Sequence, residues 1–201
     1  MCAGLVLQRG HTIIRFNEMK RGTKFSEWLT VVSVARELPF ELEKLSRPFK
    51  VGKKETPDDL NDLTIGQLMT LSETRDGGEL FFVVCEVVMG MSAEETANSD
   101  AVEVVTFVGW VISQVQKINR LFEKTKTTPS DKEVKAGINK LNFGMFGLLD
   151  WYAQRMGIAD HHEVESVEWL RVYKCLEMDT RRAEYNKRLQ EIIANDYRRK
   201  H

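Results

Sequence analysis

The densest group of side chains able to do chemistry is Asp160-His161-His162-Glu163. Imidazoles and carboxylates are metal ligands. A helix brings ligands together at i and i+3 or i+4, so two adjacent histidines point apart. His11 and His201 are remote in sequence. The same four residues also read as a helix start, with Asp160 capping and Glu163 at the positive end of the dipole. Cys2, Cys85 and Cys175 are too few and too scattered for a disulfide framework or a zinc site, which predicts a reducing compartment. Cys175 with His161 or His162 would supply a nucleophile and a base, but it lies beside Leu176 in an apolar run. Cys85, at the end of Phe81-Phe82-Val83-Val84, reads as a small core residue. Gly77-Gly78 and Gly144-x-x-Gly147 do not sit between a strand and a helix as a phosphate loop requires. Asp58-Asp59 and Glu94-Glu95 fall at loops and helix starts, where acids are expected. These patterns assemble no catalytic constellation and imply no cofactor and no metal.

The elements that would position such residues are mostly helices. Thr64 to Gln67, Ser92 to Glu95, Asp100 to Glu103, Ser130 to Glu133 and Asp160 to Glu163 all fit a capping pattern ahead of an apolar periodic run. Gly77-Gly78, Gly90, Thr127-Thr128-Pro129 and Gly157 mark breaks. The clearest helix runs from Ala101 to about Lys124. Its apolar residues, Ala101, Val104, Val108, Val111, Val115, Ile118 and Phe122, alternate in steps of three and four, a seam for packing on other helices. Val102, Phe107 and Trp110 lie off that seam and await a second neighbour or another subunit. Further helices are expected over 142–156 and 164–178, with an amphipathic basic helix from Asp179 that carries Tyr185, Leu189, Ile192, Ile193 and Tyr197.

Ahead of this body, Leu5–Leu7 and Thr12–Ile14 flank Arg9-Gly10 and suggest a small hairpin or an extended arm. Ser26 to Leu38 suggests a helix capped by Ser26. Pro39, Pro48 and Pro57 mark residues 39–61 as an irregular connector or a wrapping segment. The expected fold is therefore mainly α: a helical bundle body with an extended or hairpin N-terminal arm, divided as 1–59 and 60–201. A chain of 201 residues with 42% apolar content buries a core of its own. Met1 to Leu7 lacks the basic leader of a secretory signal. The apolar stretches 80–91 and 102–115 are short of a bilayer span and carry polar residues, so a soluble protein is expected.

A net charge of −1 conceals a segregated layout. Residues 1–54 hold 11 Lys/Arg against 5 Asp/Glu, residues 55–179 hold 11 against 22, and residues 180–201 hold 7 against 3. Basic ends around an acidic body suit packing against copies or against partners of opposite sign. The expected contact residues are Arg15, Lys20, Arg21 and Lys24 in the arm and Arg181, Arg182 and Arg188 in the tail. Nucleic-acid contact through the basic ends is the competing reading, opposed by the acidic body.

The run Leu60 to Ser72, with Leu63-Thr-Ile-Gly-Gln67 at its centre, resembles the entry segment of tail-assembly and virion-associated proteins of tailed bacteriophages. The layout that follows is similar too: a helix ending at Val88-Met-Gly90, a Ser92-x-Glu-Glu95 turn, and a long apolar helix ending near Leu121-Phe122. Phe146 to Ala153 and Trp169 to Tyr173 resemble the second half of such proteins. The resemblance covers residues 60–190. It implies a non-catalytic structural or assembly protein acting through contacts with other virion proteins and with copies of itself. It implies a place in the virion, or in the host cytoplasm during assembly, and no membrane partner. A soluble tail-assembly chaperone and a nucleic-acid-associated protein remain the alternatives.

Overall fold

The structure is a computed structural model that describes residues 6–9, 12–15, 21–33, 46–74, 77–141 and 143–200. It is mainly helical, as the capping patterns and seams predict. Two strands, β1 (Val6–Arg9) and β2 (Thr12–Arg15), form an antiparallel hairpin with Val6 opposite Arg15 and Arg9 opposite Thr12. The chain then forms α1 (Phe25–Ser33), a second small hairpin of β3 (Lys50–Val51) and β4 (Lys54–Glu55), α2 (Ile65–Glu73), α3 (Glu79–Met89), α4 (Ala93–Asn98) and α5 (Ala101–Glu123). After these come α6 (Asp131–Ala136), a 3-10 turn (Ile138–Lys140), α7 (Gly144–Met156), α8 (His161–Glu165) and α9 (Trp169–Lys200). The residues group into two compact units, one of 1–60 with 67–117 and one of 61–66 with 118–201.

In the first unit the core is aromatic at one end and valine-rich at the other. Phe25 and Phe81 are fully buried with ring centroids 5.2 Å apart, and Trp28 meets Phe81 edge-on at 5.7 Å. Ala101, Val104, Val105, Val108 and Val111 of α5 are essentially buried. Phe107 and Trp110 are buried as well and stack at 6.0 Å, so these off-seam residues are enclosed within the chain. Local chemistry sets the corners. Gly90 takes a left-handed φ of 59° and closes α3: its N–H donates to the Glu86 carbonyl, and that of buried Met91 donates to Cys85. Lys54 Nζ donates to the last carbonyls of that helix, Met89 and Gly90, at 3.3 and 2.7 Å. The expected box at Ser92 is present in both directions, Glu95 N–H to Ser92 Oγ at 3.1 Å and Ser92 N–H to Glu95 Oε2 at 2.8 Å.

Several expectations are corrected here. Ser26 lies inside the first turn of α1 and does not cap it; the Lys24 carbonyl accepts from Glu27 and Trp28. The end expected at Leu38 lies outside the described residues. Of the two expectations for this stretch, the irregular connector is corrected over residues 46–60: Val51 is fully buried in the β3–β4 hairpin, and Thr56 and Leu60 are buried as well. The Arg47 guanidinium donates to the carbonyls of Thr56 and Pro57 and pairs with Asp58, which fixes the path after the hairpin. Alternating proline and lysine conceal such a segment because its order comes from long-range partners.

In the second unit, Tyr152 and Ala153 of α7, Val164 of α8 and Trp169, Val172 and Tyr173 of α9 form the core with Leu63, Ile65 and Ile118. Phe122 packs on Tyr173 edge-on at 5.6 Å. The segment before α2 crosses the segment before α9 as a short antiparallel bridge. Ile65 N–H donates to Val167, Trp169 N–H donates to Leu63, and Thr64 faces Glu168. Gly66 allows the close approach there, since a Cβ would stand 3.0 Å from the Glu165 carbonyl oxygen. Gly157 ends α7 with a φ of 68°. Val164 belongs to the short α8 and not to the helix expected over 164–178. The helix expected from Asp179 is no separate element but the continuation of α9, 32 residues long.

The 23-residue α5 is long and apolar enough to cross a bilayer by length and composition, longer than the apolar runs in its sequence suggest. It is also a core helix, with 56% of its most apolar window buried inside the protein.

Candidate functional site

Among the described residues no three His, Cys, Asp or Glu side chains are arranged to hold a metal ion. The four residues of the Asp160 cluster are drawn apart by the start of α8. Asp160 Oδ1 accepts from His162 N–H at 2.9 Å and caps the helix. His161 turns toward Asp150 Oδ1 at 3.5 Å and meets the Phe146 ring edge-on at 4.9 Å. His162 pairs with Glu165 at 3.3 Å, and that hydrogen bond holds its pKa above the usual histidine range. Its contribution to stability is present below the ordinary histidine pKa and is lost as pH rises through the raised value.

Cys85 is fully buried, and desolvation pushes its thiol up to about 12, against the weaker pull of a hydrogen bond with Thr96. Thiolate chemistry is thereby suppressed at neutral pH. In a Cys2→Ser/Cys175→Ser variant, the native protein should react with a chromogenic disulfide reagent at least about 100-fold more slowly than the unfolded chain. Equal rates in the two states would contradict the burial.

The expected contact residues fall into two groups. The side chains of Arg15 and Lys20 lie outside the described residues. Arg21 and Lys24 sit near the junction of α4 and α5: Gly22 N–H donates to an Asp100 carboxylate oxygen, Lys24 Nζ donates to Asn98 Oδ1 at 3.2 Å, and Lys24 pairs with Asp100 as a β-bridge. Arg21 lines a recess with Phe49, Asp100 and Glu103. Lys24 thus meets the neutral amide of Asn98, and Arg21 borders a recess that also holds two acids, with both cations exposed. Arg181, Arg182 and Arg188 are exposed on α9, with carboxylates one turn back: Arg181 to Glu177 at 2.8 Å, Arg182 to Asp179 at 4.0 Å and Arg188 to Glu184 at 3.9 Å. Such exposed pairs contribute little stability and leave the cations accessible.

A two-point polar contact in this unit holds α9 about a third of the way along its length. The Arg155 guanidinium donates to both Asp179 oxygens at 2.9 and 3.2 Å, and this holds the Asp179 carboxyl below the usual range. Thr180 Oγ1 donates to the Thr125 carbonyl at 3.1 Å. Glu95, Glu133 and Glu177 are also held below the usual range, chiefly by the Ser92 backbone N–H, the Ser130 hydroxyl and Lys174 respectively. Carboxylates with depressed folded pKa values add stability above the unfolded value and lose it as pH falls through the folded one. The melting temperature should therefore drop as pH is lowered below about 4.5. In Arg155→Gln that acid branch should be shallower; an unchanged branch would remove the Arg155 contact from the account.

Beyond Thr180 every described side chain of α9 is exposed. At 3.6 residues per turn, Trp169, Val172, Tyr173 and Leu176 share the face buried in the unit. Continued along the helix, that same face carries Ala183, Lys187 and Glu191. These residues line a polar groove opposite Lys126, Ser130 and Glu133. Met178, Tyr185, Leu189 and Ile192 lie about half a turn around the helix from that face, with Ile193 at their edge. They are 40–58% exposed, and Ile193 is 59% exposed. The apolar stripe thus changes sides between Leu176 and Met178. Arg181, Arg182, Arg188 and Arg199 border it.

A second apolar cluster lies at the start of α7, where Leu141, Phe143 and Phe146 are 61–69% exposed. Sequence reading treats these aromatics as part of a helix with no special surface. No family model, no curated protein and no solved structure matches the chain.

Proposed function

We propose that this chain is a non-catalytic assembly protein that works through protein–protein contacts, with the outer face of α9 beyond Thr180 as its main contact surface. One observation carries this reading: the apolar stripe of α9 leaves the buried face and continues on the opposite side, where it is exposed among the described residues. A helix that served only its own fold would keep its apolar residues on one side. An amphipathic helix with an apolar centre and basic borders is suited to a groove with an apolar floor and acidic walls. The bacteriophage setting comes from the resemblance of residues 60–190 to tail-assembly and virion-associated proteins, and the partners in that setting are other virion proteins.

The test is made on particles. With Leu189→Asp in the chain, particles assembled in an infected host should lack it or fail to form, while the wild-type chain is incorporated at fixed stoichiometry. Incorporation of the variant at the wild-type level would overturn the reading. Wild-type chain that is needed for assembly yet absent from finished particles would make it a chaperone. The tyrosines and arginines of the same face support nucleic acid as a second reading. Leu189 and Ile192 at the centre of the stripe favour a protein groove, because apolar side chains gain little from a phosphate backbone. A steep salt-dependent shift on DNA would reverse that preference.

A further inference from the structure

The partner for this helix face is written in the same unit. Residues 181–200 hold seven basic and three acidic side chains. Residues 143–168 hold five carboxylates and one arginine, and that arginine is already committed to Asp179. Phe143 and Phe146 stand exposed within this acidic stretch, with Asp150 reached through His161. One surface is a basic helix with an apolar centre; the other carries Phe146 on α7, whose Asp150 and Arg155 balance, beside α8, which Glu163, Glu165 and the flanking Asp160 and Glu168 make acidic. Each is open, so neither satisfies the other within one chain.

Resting on the assembly reading above, we propose that the outer face of α9 in one copy docks on the α7–α8 surface around Phe146 of a second copy. Pairing of α9 with itself is disfavoured because Arg181 and Arg188 of the two helices would be brought together. The contact joins two different surfaces, so a pair of copies keeps one helix and one receptor free. Repetition closes into a ring or runs on as a filament. The residues from 181 to 200 span about 30 Å of helix, enough to cover a patch of ordinary interface size.

The test uses the full chain by light scattering across a concentration series. The wild-type mass should rise with concentration, and raised salt should weaken the association because basic and acidic surfaces meet. Leu189→Asp and Phe146→Asp should each stay monomeric, with association weakened at least about tenfold. Mixed together, the two variants should form a one-to-one complex, since one supplies an intact receptor and the other an intact helix. Both substitutions are at exposed positions; Phe143→Asp provides a second receptor variant should Phe146→Asp alter the melting temperature. A wild-type chain that is monomeric throughout would overturn the proposal, as would association lost in Leu189→Asp and kept in both receptor variants. A monomeric wild type combined with loss of Leu189→Asp from particles leaves the assembly reading standing with another partner. Retention of Leu189→Asp in particles removes the assembly reading itself.

Discussion

Replacing Phe81 by alanine should destabilise the first unit by about 3–5 kcal/mol, the usual range for truncating a buried phenylalanine. Phe81 is fully buried and sits within 5.7 Å, between ring centroids, of both Phe25 and Trp28. Removing its ring deletes the common contact of the other two and leaves a cavity that helices α1 and α3 close only in part. The aromatic pairs add to the loss beyond the buried area, by about 0.5–1.5 kcal/mol each. Chemical denaturation followed by tryptophan fluorescence measures it directly, because Trp28 reports on the same cluster. A loss below about 1 kcal/mol would show that the cluster collapses around the gap and that the packing is less specific than the ring geometry implies.

The second large effect is a contrast along one helix. Trp169→Ala, near the start of α9, should reduce stability by about 3–5 kcal/mol, since the ring is buried against Phe122 and Tyr173. Tyr185→Ala, about four turns on, should change stability by less than about 0.5 kcal/mol, as surface positions usually do. The two aromatics belong to the same helix, and intrinsic helix propensity does not separate them by this amount. Only the face on which each stands does so. Thermal melts of the two variants, with scattering on the same samples, complete the comparison: Trp169→Ala alters the melt, and Tyr185→Ala alters the association. A strongly destabilised Tyr185→Ala would mean that the outer face is occupied within the chain and would end its role as a docking surface.

Much of the local structure is legible without coordinates. The Ser92 and Ser130 capping boxes form because a short hydroxyl and a glutamate three residues on satisfy each other's backbone partners, whatever surrounds them. Gly90 and Gly157 end their helices because only glycine takes a left-handed φ without strain. The seam of α5 is buried as spaced because the 3.6-residue repeat leaves no other face for it. The segregated charge is a property of sequence alone.

The remaining features depend on what is far away in the chain. Val51 is buried in a stretch of lysines and prolines because Arg47, Thr56 and Lys54 find partners in the turn and at the end of α3, contacts that no local pattern announces. Phe107 and Trp110 are core residues because a second neighbour covers the far side of α5, and one helix's periodicity does not say how many neighbours it has. Arg21 and Lys24 read as part of a basic arm, yet the backbone between and beside them is tied to Asp100, and Asn98 accepts from the Lys24 ammonium. For α9, the sequence alone determines an amphipathic basic helix from Asp179, and its continuity with the helix before it is decided by the structure. Its two apolar stripes become distinct only when Arg155 and Thr125 fix where the buried half ends, at Asp179 and Thr180. Periodicity gives the direction of a stripe around a helix axis; which direction faces the core is a property of the packing.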